Sequence, residues 1–234
     1  MHLKKNIRKI GRAILDLFYP NLCLACNHNL KEHEDVICVP CQFLLPKTGF
    51  HKLEENPMTD RLWGRVSVMA TGAYFYFSKG GSVRKLIHQL KYKDKPQIGS
   101  RLGERYGKQL LGNERFNAVD VIVPVPLHLK KQRSRGYNQS MQFAKGIGKA
   151  MDIPVKSALK RVKSGSSQTS KSRMDRFKVI ENSFKVVDAN AIQGKHVLLV
   201  DDVLTTGATI EACSLKILEI PETKISIATI AFAE

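Results

Sequence analysis

Nothing in this 234-residue chain reaches the roughly 20 consecutive apolar residues that a membrane-spanning helix requires. Its start is basic, but Arg12 and Asp16 interrupt the apolar core that a secretory signal would need. Cysteine is scarce: five residues, clustered, are too few for the disulfide framework of a secreted protein, and a reducing cytoplasm is the expected compartment. The phosphate-binding pattern GxxxxGK followed by Ser or Thr is missing, and so is the dinucleotide pattern GxGxxG, so neither an ordinary ATP site nor an ordinary NAD site is expected. Acidic residues are in short supply too. Against 38 Lys and Arg stand 21 Asp and Glu, a formal net charge of +17 that calls for a polyanionic partner. Phosphorylated metabolites, nucleic acid and an anionic membrane surface all answer to that description, and charge alone does not choose among them. No internal repeat divides the chain, and its 43% apolar content suits one main domain with a small appendage.

What is present is concentrated in Val197–Thr209, VLLVDDVLTTGAT. Val197 to Val200 read as a fully buried parallel strand, and Ile210, Cys213, Leu215, Ile217 and Leu218 carry the apolar face of a following helix. The junction delivers two adjacent carboxylates into a turn of small residues. There the backbone N–H groups of Thr205, Thr206, Gly207, Ala208 and Thr209 and the helix N-terminus converge on an anion, and three threonine hydroxyls add donors. Asp201 and Asp202 are acceptors suited to a ribose 2′,3′-diol. The stretch resembles, along its whole length, the phosphoribosyl pyrophosphate (PRPP) loop of the type I phosphoribosyltransferases.

Cys23-Leu24-Ala25-Cys26 and Cys38-Val39-Pro40-Cys41 form two CxxC knuckles, each bringing two thiolates to one face of a metal. Four such sulfurs close a tetrahedral zinc shell with no open position for water, so the predicted zinc is structural. Reduced or redox-active cysteines are the alternative. His28 and His33 lie within the knuckle region, where substitute metal ligands and surface residues are their two readings, while Cys213 is a small core residue.

Elsewhere, residues 3 to 18 place Leu3, Ile7, Ile10, Ile14, Leu17 and Phe18 on one stripe of a basic amphipathic helix. Packing on its own domain and docking to a membrane surface or partner are its two readings. Residues 46–65 are polar and punctuated by Pro and Gly, as in a linker. Strands are predicted over 66–77, 119–125, near 183–187 and over 224–232. Helices are predicted after Lys79-Gly80-Gly81, over about 99–111 and after Asn138. The alternation argues an α/β fold with a parallel sheet.

Two basic loops accompany it. Pro126 to Gln139, PLHLKKQRSRGYNQ, follows the carboxyl end of a strand, where ligands of open α/β sheets bind. Arg133 and Arg135 suit bidentate phosphate contacts, and Gly136 permits close backbone approach; a solvated charged loop is the alternative. Lys160 to Lys178 is long and polar, and reads either as a lid bringing Gln168, Lys171, Arg173 and Arg176 to a charged substrate or as a plain surface loop.

In order, these pieces resemble the competence protein F family over nearly the whole chain. The likeness rests on FYPNLCLAC with CVPC, LIHQLKYKDK, VPVPLH with RSRGYNQ, the Arg161, Gln168, Arg173 and Arg176 loop, and VLLVDDVLTTGAT. The resemblance implies a type I phosphoribosyltransferase-like domain, with its parallel sheet flanked by helices, behind a small N-terminal four-cysteine zinc ribbon. It also implies a role in importing single-stranded DNA during natural transformation, with a helicase-like import partner.

By analogy with the transferases, Arg133, Arg135, Gly136, Tyr137, Asn138 and Gln139 would lie near the pyrophosphate, which carries Mg²⁺. Arg161, Gln168, Lys171, Arg173 and Arg176 would form a flexible lid, and a homodimer would be usual. The expected organisation is a basic helix over 1–20, a ribbon over 21–45, a linker over 46–65 and the transferase-like domain over 66–234. Two function classes follow: a PRPP-binding competence factor, placed in the cytoplasm or at the inner face of the membrane, and an active phosphoribosyltransferase with an unknown nucleophile.

Overall fold

The computed structural model describes residues 20–162 and 183–234, in two units divided between Leu45 and Pro46. The expected basic helix, all but its last residue, lies outside the described residues, as do Gln168, Lys171, Arg173 and Arg176 of the expected lid.

In the larger unit the strands in chain order are β1 (Thr71–Phe77), β2 (Val121–Pro124), β3 (Leu159–Arg161), β4 (Phe184–Val186), β5 (His196–Leu204) and β6 (Lys224–Ala233). Four of them form an all-parallel sheet in the order β1-β6-β5-β2. Val197, Leu198, Leu199 and Val200 are 0% exposed, which is why that run is continuously apolar rather than alternating. Burying each such side chain contributes about 1.5–3 kcal/mol, so the strand that carries the carboxylates is firmly anchored. It also runs further than predicted. Pairing with β6 continues through Asp201↔Thr229, Val203↔Ala231 and Leu204↔Phe232, so the two aspartates belong to the ladder rather than to a free turn.

Three expectations are corrected. The 183–187 segment is a strand, but β4 pairs antiparallel with β3 in a sheet of its own. Phe184 is buried while Lys185 is exposed, the alternation of a half-solvated ribbon rather than the solid apolar run of a central parallel strand. The strand predicted from 66 begins at Thr71, with Val66 and Val68 packed on the core beforehand.

The segment read as a linker is folded into the unit: Phe50, Met58 and Leu62 are core residues. Asn56 caps the helix α2 (Pro57–Leu62), accepting from the N–H groups of Met58 and Thr59 at 3.0 and 3.1 Å, and Pro57 stands where a missing N–H costs nothing. Arg115 donates to the carbonyls of Leu53, Glu54 and Met69, fastening the same segment to the body.

Helices α3 (Ser82–Tyr92), α4 (Pro96–Leu111), α5 (Glu114–Asn117), α6 (Leu129–Arg135), α7 (Gln139–Met151) and α8 (Ala208–Leu218) complete the unit, and α1 (Val39–Leu44) lies in the smaller one. Short α6 sits inside a stretch read as irregular. Helices α4 and α7 meet backbone to backbone: a Cβ at Gly103 would overlap the Phe143 carbonyl, and one at Gly146 would overlap that of Ser100.

Candidate functional site

Because β2 and β5 are parallel neighbours, the loops leaving their carboxyl ends lie side by side. Successive side chains of a strand point in opposite directions, so Asp201 and Asp202 reach different partners. Asp201 Oδ1 accepts from the Ser140 hydroxyl at 2.8 Å and from the Asp202 N–H at 2.8 Å. Asp202 is paired with Lys91, whose Nζ lies 3.1 Å from Oδ1 and 3.0 Å from Oδ2. Burial, and after it the negative charge of Asp202, pushes the Asp201 carboxyl up to about 7, against the pull of Ser140, the Asp202 N–H and Lys91.

Beyond Leu204 the chain turns through Thr205 and Thr206, both exposed, to Gly207, which sits at φ 83° as the N-cap of α8. A side chain at Gly207 would be strained and would crowd Leu62 Cδ2 at 3.3 Å. Arg61 donates to the carbonyl of Thr205 at 2.5 Å and lies over the Phe232 ring; Arg65 donates to the carbonyl of Thr206 at 3.1 Å and pairs with buried Glu211. Arg61 and Arg65 thus engage two carbonyls of the turn, and the Ala208 N–H lies 3.5 Å from the Thr206 hydroxyl at the N-terminus of α8, whose partial positive charge suits an anion.

The basic loop after β2 divides in two. Arg133 is exposed, and Arg135 lines a cleft of about 530 Å³ with Lys91, Tyr92, Lys130 and Lys131. Arg135 is held in place by Gln139 Oε1 at 3.0 Å and by the face of Tyr92. Gly136, at φ 77°, ends α6. The next three residues engage the fold itself: Tyr137 donates to the Leu90 carbonyl, Asn138 donates to the Val125 carbonyl at 2.9 Å and caps α7, and Gln139 is 1% exposed. Arg161 lies over Phe184 and lines a second cleft, of about 340 Å³, with Tyr137 and Asn138.

No sequence pattern assigns a role to Ser140, Arg61 or Arg65, or to Lys91 within the stretch LIHQLKYKDK. Lys91 is 111 residues from Asp202 and Ser140 is 61 from Asp201, distances over which no local pattern signals a pair.

In the smaller unit the sulfurs of Cys23, Cys26, Cys38 and Cys41 all lie within 4.8 Å of one another, Cys26 and Cys38 at 3.6 Å. Tetrahedral zinc–thiolate bonds of about 2.3 Å place sulfurs roughly 3.8 Å apart, so the cluster fits such an ion. Asn27, at φ 64°, turns the first knuckle, closed by its N–H to the Cys23 carbonyl at 2.8 Å. The Cys38 N–H points at Cys23 Sγ at 3.3 Å. Burial alone would raise the Cys23 thiol, but the backbone N–H groups of Cys38, Cys26 and Ala25 outweigh it and bring it to about 7. Burial, with the neighbouring sulfurs, pushes Cys41 up, a crowding that a cation relieves. His28 and His33 are exposed, and Cys213 is buried in the core of the other unit. Among the described residues no helix is long and apolar enough to cross a membrane.

Residues 137–233 match the family model of the phosphoribosyl transferase domain. The chain is 34% identical over 218 residues to competence protein F of Haemophilus influenzae, covering 84% of this chain and 90% of that protein. It is 28% identical over 208 residues to the DNA utilization protein YhgH of Escherichia coli, covering 85% of each. Among solved structures, the glutamine PRPP amidotransferase of B. subtilis superposes with a TM-score of 0.43 at 21% identity, over 61% of this chain and 30% of that one.

Proposed function

Since the chain belongs to the competence protein F family, we propose that it is a PRPP-binding factor of phosphoribosyltransferase fold acting in the import and handling of single-stranded DNA. The observation that carries this reading is the junction of β5 and α8. Two half-buried carboxylates stand beside a turn at the N-terminus of α8 in which Thr205 and Thr206 are exposed and their carbonyls are engaged by Arg61 and Arg65. Asp201 and Asp202 would accept from the ribose hydroxyls, and Thr205, Thr206, Gly207, Ala208 and Thr209 would hold the 5′-phosphate. Arg133 and Arg135 would face the pyrophosphate, which brings Mg²⁺ with it. Arg161, with Gln168, Lys171, Arg173 and Arg176, would close over it. The four cysteines would hold one structural zinc.

Calorimetry with PRPP is the test. Binding that strengthens with Mg²⁺ supports the reading, and no heat with or without the metal overturns it. Release of pyrophosphate in the presence of a panel of bases or amines would identify the chain as an active transferase, in which positioning and electrostatics stabilise a cationic sugar centre. Binding without release would leave PRPP an effector.

The DNA role draws on the names of the relatives and on the net charge of +17. Binding of single-stranded DNA is expected to weaken with salt and to show little sequence preference. Changing Lys160, Arg161, Arg173 and Arg176 to Gln is expected to flatten the slope of log affinity against log salt by roughly 0.7 for each phosphate that is no longer neutralised. An unchanged slope would leave DNA handling to a protein partner, for which a helicase-like import motor is the proposed candidate. The proposed setting is the cytoplasm, with peripheral contact at the inner face of the membrane, and the proposed assembly is a homodimer.

A further inference from the structure

Lys91 faces two ways. Its ammonium lies within 3.1 Å of both oxygens of Asp202. The same residue lines the cleft between the end of α3 and α6, where Lys130, Lys131 and Arg135 outnumber Asp94. The far wall is built rather than merely basic, because Arg135 is oriented by Gln139, itself 1% exposed, and by the Tyr92 ring. Lys91 is therefore the one cation, among the described residues, that both touches the carboxylate pair and borders this cleft.

A sugar diol that uses Asp202 as an acceptor must compete with that ammonium. With nowhere to go, Lys91 would be left half-buried and stripped of its partner, which is costly. If the ligand also brings an anion into the cleft, the four-carbon stem lets the ammonium turn from Asp202 to the anion, while the diol hydroxyls take its place as hydrogen-bond donors to the Asp202 carboxylate. The diol and the anion then help each other through one side chain.

Resting on the PRPP reading above, we propose that Lys91 sets the specificity of the site, selecting a pentose 5-phosphate that carries a second anionic group beside its diol over one that does not. Two consequences follow from the reciprocity of coupled binding. In the wild-type chain, inorganic pyrophosphate and ribose 5-phosphate should each strengthen the binding of the other. The wild type should also prefer PRPP to ribose 5-phosphate by a margin that depends on Lys91.

The experiment is calorimetry with PRPP, ribose 5-phosphate and inorganic pyrophosphate on wild type, Lys91→Gln and Lys91→Arg, each checked for an intact thermal transition. In Lys91→Gln, PRPP should bind about tenfold more weakly or worse, the scale of one charge-assisted hydrogen bond, while ribose 5-phosphate binds as well as before or better. Lys91→Arg should restore most of the preference. A parallel loss for both ligands would make Lys91 a merely structural residue and overturn the proposal. If neither variant folds, the wild-type chain alone decides: mutual strengthening by pyrophosphate and ribose 5-phosphate upholds it, and competition or independence overturns it. A wild-type chain that binds none of the three overturns the PRPP reading, and this inference with it. Normal PRPP binding with an unaltered preference in Lys91→Gln removes this inference alone.

Discussion

Asp201→Ala together with Asp202→Ala is expected to abolish PRPP binding while leaving the chain folded. Both side chains are half-buried at the end of β5, and their polar partners are Ser140 and Lys91 rather than the apolar core. Losing two charged acceptors removes about 1.5–3 kcal/mol for each hydrogen bond to a charged group, about 3–6 kcal/mol in all, which carries a micromolar ligand to about the millimolar range.

The Asp201 carboxyl adds a signature that general destabilisation would not produce. Its folded value of about 7 lies above the ordinary 3.8, so the native state binds more protons than the unfolded chain between those values. Stability attributable to Asp201 is therefore greatest at low pH and declines as pH rises through that window. Asp201→Asn at pH 8 should raise the unfolding midpoint, by about 2–4 °C for each kcal/mol of burial and repulsion relieved, while weakening PRPP binding. Wild-type affinity should fall as pH drops below about 7, since a protonated Asp201 has lost an acceptor. Equal PRPP binding by wild type and the double variant would show that the pocket lies elsewhere.

Removing the proposed zinc is the second large expected effect. The segment from 20 to 45 buries little more than Cys23, Ala25, Val36, Ile37, Cys38, Cys41 and Leu45, too small a core to hold a fold unaided. Zinc bound by four thiolates supplies about 10–16 kcal/mol of apparent binding energy in small zinc-dependent folds, so chelation, or Cys38→Ser, is expected to unfold this unit. The body from Pro46 onward has its own core and should keep its thermal transition. One zinc per chain is expected by metal analysis. Hydrogen exchange would show protection of 20–45 collapsing on chelation and that of β5 and β6 holding. A chain purified under reducing conditions that carries no metal, yet protects residues 20–45, would refute the zinc assignment.

The parts legible from sequence are those in which one physical demand dominates a short window. A strand covered on both faces must be apolar throughout, and Val197–Val200 is. A four-thiolate site must bring its sulfurs together in pairs, and the two CxxC knuckles do. The linker reading fails because it takes Pro and Gly only as punctuation. Asn56-Pro57 is also a cap followed by a first-turn proline, with Met58 and Leu62 one helical turn apart, and that pattern is present in the sequence.

Tyr137, Asn138 and Gln139 follow a basic run and read with it, although Asn138 also reads as the start of a helix. Tyr137 and Asn138 spend their side-chain polar groups on the backbone, and Gln139 spends its amide oxygen on Arg135. The pairing of Lys91 with Asp202 is out of reach of the sequence because only the assembled sheet brings α3 to the end of β5.

The glycines of α4 bear on how that assembly behaves. Gly99, Gly103 and Gly107 recur at every fourth position, and the atoms facing them belong to Gln142, Phe143, Gly146, Ile147 and Ala150 of α7. Elsewhere in a core, side chains cushion two helices and can repack when one moves. Here the two backbones touch directly, so there is no cushion. Helix α7 begins with Gln139 and Ser140, which orient Arg135 and Asp201, and any change in its spacing from α4 reaches those contacts undamped. The helix pair works as an alignment rail for the site: its amides should be among the slowest in the chain to exchange, and a single methyl group at Gly146 would throw Ser140 out of register with a carboxylate 61 residues further along.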